Sequence, residues 1–261
     1  EIMPSLVGSE MCIRDRCKEI AGRKDYLGGE TIDTIYLGGG TPSQLEKDDF
    51  TNIFRTIYDN YSVNPNAEIT IEANPDDLTD EYVEMLSTLP FNRLSMGIQT
   101  FNDDILSLLK RRHNAQQAIE AFGRCRNAGF RNISIDLMYG LPGESMDTWN
   151  KDLDTAISLK PEHISAYHLI YEEGTALYKL REENKVREAD EDLSNSLFET
   201  LISRLKENGY LHYEISNFCR PGMHSRHNSS YWTGIKYLGC GPSAHSYDGH
   251  SRQWNLSLIH I

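Results

Sequence analysis

Glu72 and Asp136 each close a short apolar run, Ile69-Thr70-Ile71 and Ile133-Ser134-Ile135. An ionised carboxylate placed there can only accept hydrogen bonds, so it matches an ammonium or a pair of sugar hydroxyls. Gln99, just beyond Leu94-Ser95-Met96-Gly97, both donates and accepts, which suits a ribose edge. Arg111 carries a planar fork that can grip a carboxylate through two parallel bonds. Gly38-Gly39-Gly40-Thr41-Pro42 follows Ile35-Tyr36-Leu37, and glycines there let a ligand approach backbone that side chains would shield. Together these types fit one kind of ligand, a nucleoside bearing an amino acid.

Each residue also has a plainer reading. Three glycines can form a tight strand-to-helix turn. No Gly-Lys-Ser/Thr follows them, which argues against a phosphate loop, and exposed carbonyls would instead suit an ammonium. A lone strand-end acid is ordinarily a helix cap or a solvated loop acid, and Gln99 could cap a helix start. Lys110-Arg111-Arg112 could be a solvated basic helix end complementing the dipole. Gly140-Leu141-Pro142-Gly143 reads as a turn that aims the next helix. What favours the ligand reading is recurrence at strand ends.

A fifth run, Ile164-Ser165-Ala166-Tyr167, leads to Leu169-Ile170. Helical stripes alternate with these strands: Phe50, Ile53, Phe54 and Ile57; Tyr82, Met85, Leu86 and Leu89; Ala118, Phe122 and Cys125, stopped by Gly129; Trp149, Leu153, Ala156 and Ile157. Thr41 is the expected cap of the first of them, with Pro42 at its first position and Gln44 closing a capping box. Strand and helix alternation with short connections predicts a parallel sheet closed or partly closed into a barrel. The carboxyl ends of such strands share one rim, where ligands bind.

After Gly174 the pattern changes. Asp190 to Asn208 reads as one long helix, with Leu193, Leu197, Leu201 and Leu205 at four-residue steps and Gly209 at its end. Tyr210 to Asn217 reads as a strand. A domain change is therefore placed near residue 175. The stretch Pro4–Arg16 (PSLVGSEMCIRDR) shows neither strand nor helix period, and the closing Leu256–Ile261 has the same flavour. Residues 1–16 and 256–261 are expected to be non-native scars of the translated-adapter kind, which leaves 17–174 as barrel core and 175–255 as the start of a second domain.

The 261 residues carry 26 Lys and Arg against 39 Asp and Glu, a net charge of −13, which argues against a broad nucleic-acid surface. With 39% hydrophobic and 25% charged residues the composition is that of an ordinary globular protein. No apolar run approaches the ~20 residues of a membrane helix, and no signal-peptide pattern opens the chain. Five scattered cysteines fit reduced thiols in a cytoplasm better than a disulfide framework.

The blocks IYLGGGTPS, IEANPDD, RLSMGIQTF, LLKRRH, IDLMYGLPGES, HYEISNF, SRHNSSYW and GCGPSAHSY, in this order over residues 17 to 255, closely resemble the radical S-adenosylmethionine (SAM) proteins of the oxygen-independent coproporphyrinogen III oxidase-like group. The resemblance implies an α/β fold: a partial (β/α)₆ radical SAM barrel, here lacking its first strand, followed by a truncated α+β C-terminal domain. It also implies that SAM lies across the strand tips. Gly39, Gly40 and Thr41 would meet the methionine ammonium together with Glu72. Arg111 would hold the methionine carboxylate, Gln99 and Asp136 the ribose hydroxyls, and Ile170 the adenine.

Proteins of this group hold a [4Fe–4S] cluster on a C-x₃-C-x₂-C loop after the first barrel strand, and an electron from it splits the sulfonium to give a 5′-deoxyadenosyl radical. This sequence has no such loop. Cys12 and Cys17 have no third partner nearby, Cys125 lies on a core stripe, and Cys219 and Cys240 fall in the second domain. No metal ligand and no catalytic residue is therefore named, and the intact family member would supply the cluster.

The tail separates branches of the group. His227-Asn228-Ser229-Ser230-Tyr231-Trp232 matches the HNxxYW signature of the heme-chaperone branch. That likeness implies heme binding at His227, Asn228, Tyr231 and Trp232, since imidazole ligates iron and indole stacks on a porphyrin face. His245 is a second, weaker position. The plainer alternative is a packed, hydrogen-bonded His227–Tyr231 pair between domains. The expectation is a cytoplasmic heme chaperone that passes heme to respiratory hemoproteins, with no nucleic-acid partner and no transmembrane segment. One alternative is an oxygen-independent coproporphyrinogen III oxidase, a radical decarboxylase of porphyrin biosynthesis. Another is a metal-dependent barrel hydrolase using Glu72 and Asp136.

Overall fold

Every apolar run singled out above forms a strand in the computed structural model, which describes residues 6–256 and, from residue 13 onward, their side chains. In chain order the elements begin α1 (Leu6–Gly22), β1 (Ile32–Leu37), α2 (Lys47–Asn60), β2 (Val63–Ala73), α3 (Asp80–Ser87) and β3 (Arg93–Gln99). They continue with α4 (Asp103–Leu108), α5 (Ala115–Asn127), β4 (Ile133–Tyr139), α6 (Met146–Leu159), β5 (His163–His168) and α7 (Ala176–Glu182). Last come α8 (Glu191–Glu207), β6 (Leu211–Glu214), β7 (Asn217–Cys219), α9 (Arg226–Ser230), β8 (His245–Tyr247) and β9 (Arg252–Trp254). Among the described residues, no helix is long and apolar enough to cross a membrane.

The chain forms two compact units. One comprises residues up to Tyr36, Gln44–Ile69 and the segment from Arg226 onward; the other comprises Leu37–Ser43 and Thr70–Ser225. The second unit runs on past residue 175. In it the end of β2 pairs in parallel with β3, β3 with β4 and β4 with β5, making the curled parallel sheet of a half-barrel. The antiparallel hairpin β6–β7 then continues the sheet beyond β5. Tyr210 to Asn217 is thus two strands where the sequence suggested one; Glu214 and Asn217 face each other across the turn.

Alternate residues of these strands face the covering helices. Leu94, Met96 and Ile98 of β3 and Ile133, Ile135 and Leu137 of β4 are fully buried. The helices over them use the expected stripes: Ala118, Ala121, Phe122 and Cys125 in α5, Trp149, Leu153 and Ala156 in α6, Leu197, Leu201 and Leu205 in α8. Trp149 is locked by one polar bond, its indole Nε1 donating to the Leu197 carbonyl at 3.0 Å.

In the first unit β1 lies beside β2, and α2 buries Phe50, Ile53 and Phe54. This helix starts later than expected. Pro42–Gln44 is an isolated 3-10 turn, and α2 begins at Lys47, where the Glu46 amide donates to Asp49 Oδ2 at 3.1 Å. A helix also runs through most of the opening stretch in which no period was visible, and Ile20 anchors its described end. Residues 1–5 and 257–261, which fall in the two expected scars, lie outside the described residues.

Candidate functional site

One cleft in the second unit, of about 200 Å³, gathers Gly40, Thr41, Glu72, Gln99, Arg111 and Asp136. Six residues spread over almost a hundred positions thus share one lining, contributed by the loop after β1, by β2, β3 and β4, and, for Arg111, by the turn after α4. Gly39 stands just outside it, and its amide donates to Glu72 Oε2 at 3.0 Å. So the glycine loop, with Gly39 at φ +74°, turns an amide toward the carboxylate. Ile170 is absent from the lining and 74% exposed on the segment after β5.

The position of Gln99 depends on a bulge. Gly97 pairs with Asp136 but Gln99 with Leu137, so Ile98 is an extra residue in β3. Ser95, Gly97 and Gln99 alternate along β3 onto the cleft, as the two-residue period of a strand requires. At the bulge Gln99 takes a left-handed φ of +74°. That backbone is uncommon for a residue with a Cβ, and such strain gathers at functional sites. Gly97 leaves the room required: a Cβ there would lie 3.0 Å from Gln99 Nε2 and 3.4 Å from Arg111 Nη2.

Arg111 is brought back by the end of α4. The Arg111 amide donates to the Leu106 carbonyl at 2.9 Å and the Lys110 amide to that of Ser107 at 3.0 Å, with Lys110 at φ +56°. This is a Schellman turn with lysine where glycine is usual. Arg111 therefore does not extend a solvated helix end. Its Nη2 donates to Asn74 Oδ1 at 2.8 Å and to the Gly97 carbonyl at 2.9 Å, and burial pulls the guanidinium pKa down from its ordinary value. The neighbouring Arg112 instead pairs with Asp76 at 2.8 Å and Asp77 at 3.0 Å.

Asp136, in the middle of β4, is partly buried. Burial, reinforced by the Glu72 carboxylate, pushes its pKa up to about 6, against the opposing hydrogen bonds from the Ser165 and Ser95 hydroxyls. Ser95 and Asn74 line the cleft beside the expected residues, as does Ser43. The sequence carries a signal for Ser95, a polar residue alternating with apolar ones on a buried strand; Asn74, before Pro75, carries only a general turn signal.

The glycine-proline turn after β4 does more than aim α6. Gly140 and Leu141 amides donate to Glu144 Oε2 at 2.6 and 3.2 Å, and burial pushes this carboxyl up to about 7. Asp152 of α6 is similarly buried and raised to about 6, holding the Thr100 hydroxyl at 2.5 Å and the Phe101 amide at 3.0 Å.

In the first unit, Glu68 accepts from the Arg226 and His227 amides at 3.0 and 2.9 Å, fixing the start of α9. His227 stacks on Tyr36 with ring centroids 4.7 Å apart. Its Nδ1 bonds Thr34 Oγ1 at 2.9 Å and its Nε2 the Tyr231 hydroxyl at 3.0 Å, and burial holds the imidazole pKa below its usual value. The hydrogen-bonded His227–Tyr231 pair therefore exists, within one unit. Trp232 stands 74% exposed beside it, and Asn228 lies on the same short helix. His245, in β8, is exposed and tilts against Trp254.

Residues 15–156 match the model of the Radical SAM superfamily. The chain belongs to that family. It is 38% identical over 235 residues to "Heme chaperone HemW" of Bacillus subtilis, covering 89% of this chain and 62% of that protein. A protein of the same description from Mycobacterium tuberculosis is 36% identical over 238 residues, 91% of this chain and 60% of the relative. The chain thus spans about six-tenths of the length of these curated relatives. Its fold is also that of coproporphyrinogen III oxidase (HemN) from Escherichia coli, with a TM-score of 0.83 at 23% identity, over 100% of this chain and 62% of that one.

Membership of the radical SAM superfamily implies SAM and a [4Fe–4S] cluster. The cleft suits SAM: an arginine, two carboxylates and an amide converge where Gly97 leaves space. The described thiols do not suit the cluster. Cys17, Cys125, Cys219 and Cys240 lie on separate elements or loops, and no group of three metal-binding side chains gathers among the described residues. Burial pushes Cys125 up to about 12 and Cys240 up to about 11, the reverse of what thiolate ligands need. The side chain of Cys12 lies outside the described residues.

Proposed function

We propose that this chain is a heme chaperone of the radical SAM superfamily that binds SAM in the cleft and heme at the His227–Trp232 segment. The observation that carries the SAM reading is the convergence of Gly40, Thr41, Glu72, Gln99, Arg111 and Asp136 on one lining. Arg111 would take the methionine carboxylate, and Glu72, with Gly39, Gly40 and Thr41 beside it, the ammonium. Gln99 and Asp136 would take the ribose hydroxyls, and Ile170 would touch the adenine. Charge supports this division, because a cationic fork and the Glu72 carboxylate match the two ends of an amino acid.

The heme reading draws on the relatives described as heme chaperones and on the His227 to Trp232 segment. Burial favours the neutral form of His227, the form in which an imidazole ligates a metal. Iron ligation at Nε2 would exchange the Tyr231 hydroxyl bond for a bond to the metal, and the exposed Trp232 would cover the porphyrin face. Heme is then cargo, taken up in the cytoplasm and passed to respiratory hemoproteins. The test is a heme titration of the chain. A saturable Soret shift that His227→Ala and Trp232→Ala diminish is expected. A titration without saturation, together with conversion of coproporphyrinogen III by a version that carries the cluster, would establish an oxidase instead.

A further inference from the structure

An arginine side chain free to rotate loses that freedom when a ligand fixes it, and affinity falls accordingly. Arg111 has been relieved of this cost. Its Nη2 is held by Asn74 Oδ1 and the Gly97 carbonyl, while Nη1 and Nε make no hydrogen bond among the described residues. Asn74 is itself fixed: its amide donates to Ser43 Oγ at 3.4 Å, its carbonyl accepts from the Asp77 amide at 3.1 Å, and Pro75 follows. The charges around it are arranged unevenly. Asp76 and Asp77 pair with Arg112, whereas the group that grips Arg111 is a neutral amide. An aspartate of the same shape at position 74 would neutralise the guanidinium; asparagine orients it and leaves its charge for the cleft.

We propose that Asn74 is a positioning residue that presents the Arg111 guanidinium to an anionic group of the ligand, and so makes the cleft selective for a nucleoside bearing a carboxylate. This rests on the nucleoside reading above. Gly97 is the complementary part of the device, since its carbonyl shares the load and its missing Cβ keeps the fork's path open.

The experiment is titration calorimetry of the unaltered chain, Asn74→Ala and Asn74→Asp with two ligands, SAM and decarboxylated SAM. The second keeps the adenosine, sulfonium and amine and lacks only the carboxylate. The unaltered chain is expected to prefer SAM. Asn74→Ala should weaken SAM by about tenfold, as expected for loss of a charge-assisted contact, and leave the decarboxylated ligand within about twofold. Asn74→Asp should weaken SAM at least as much, and it keeps the side-chain shape should the alanine variant fail to fold. Equal loss for both ligands would reduce Asn74 to a support of the fold and overturn the proposal. So would unaltered SAM affinity in both variants. Equal binding of both ligands by the unaltered chain defeats the selectivity but leaves the nucleoside reading standing. Binding of neither defeats that reading, and the positioning role with it.

Discussion

The Ser95 hydroxyl lies 3.3 and 3.2 Å from the two carboxylate oxygens of Asp136, and donates to a group whose ionisation the fold resists. The folded pKa of about 6 stands above the ordinary 3.8, so the folded state holds this proton more tightly than the unfolded chain. Stability contributed here therefore falls as pH rises from about 4 to about 6, and the full penalty persists above that. Asp136→Asn should raise stability at pH 8 by up to about 3 kcal/mol while weakening SAM. Urea unfolding at pH 4 and pH 8 checks it: a gain no larger at pH 8 than at pH 4 would show that Asp136 is not held against ionisation.

Gly97→Ala should leave the fold intact and weaken SAM binding in the cleft. The new methyl group would press Gln99 Nε2 and approach Arg111 Nη2, both ends of side chains that can move. Misplacing them should cost SAM affinity at least tenfold, about 1.4 kcal/mol. Unchanged calorimetric affinity would remove Gln99 and Arg111 from the contact surface.

Glu68 is the tie between β2 and the start of α9. Glu68→Ala releases two amides and should loosen His227, lowering heme affinity by about tenfold while SAM affinity stays the same. Glu68→Gln, which retains one acceptor, should recover part of the loss. Heme binding unaffected by either change would separate the His227 segment from heme.

Trp149→Ala should destabilise the second unit by about 3–5 kcal/mol, because it opens a cavity in a core whose largest fully buried side chain is this indole. It also removes the donor to the Leu197 carbonyl. A chemical-denaturation series reading less than about 1 kcal/mol would mean that α6 and α8 repack without it.

The strands and helical stripes were legible because the helix-covered face of a parallel sheet imposes apolar residues at every second position, and the helices above it impose their own period. Phe50, Leu94, Ile135 and Leu201 could each be placed from sequence alone. The convergence of Glu72, Gln99 and Asp136 followed from one topological rule about strand ends. What could not be read were features set by backbone geometry. The bulge at Ile98 and the left-handed turns at Gln99 and Lys110 leave no residue signature, since neither position is glycine. The 3-10 turn at Pro42 imitates a helix start until Glu46 and Asp49 supply the real one. Asn74 was missed for a related reason. Its role lies in a bond to a side chain thirty-seven residues away.

The most direct test is a crystal structure of the chain grown with SAM. The predicted result places the methionine carboxylate on Arg111, the ammonium by Glu72, and the ribose hydroxyls within hydrogen-bond distance of Asp136 and Gln99. Density for the nucleoside elsewhere, with Arg111 and Asp136 touching none of it, would contradict the account.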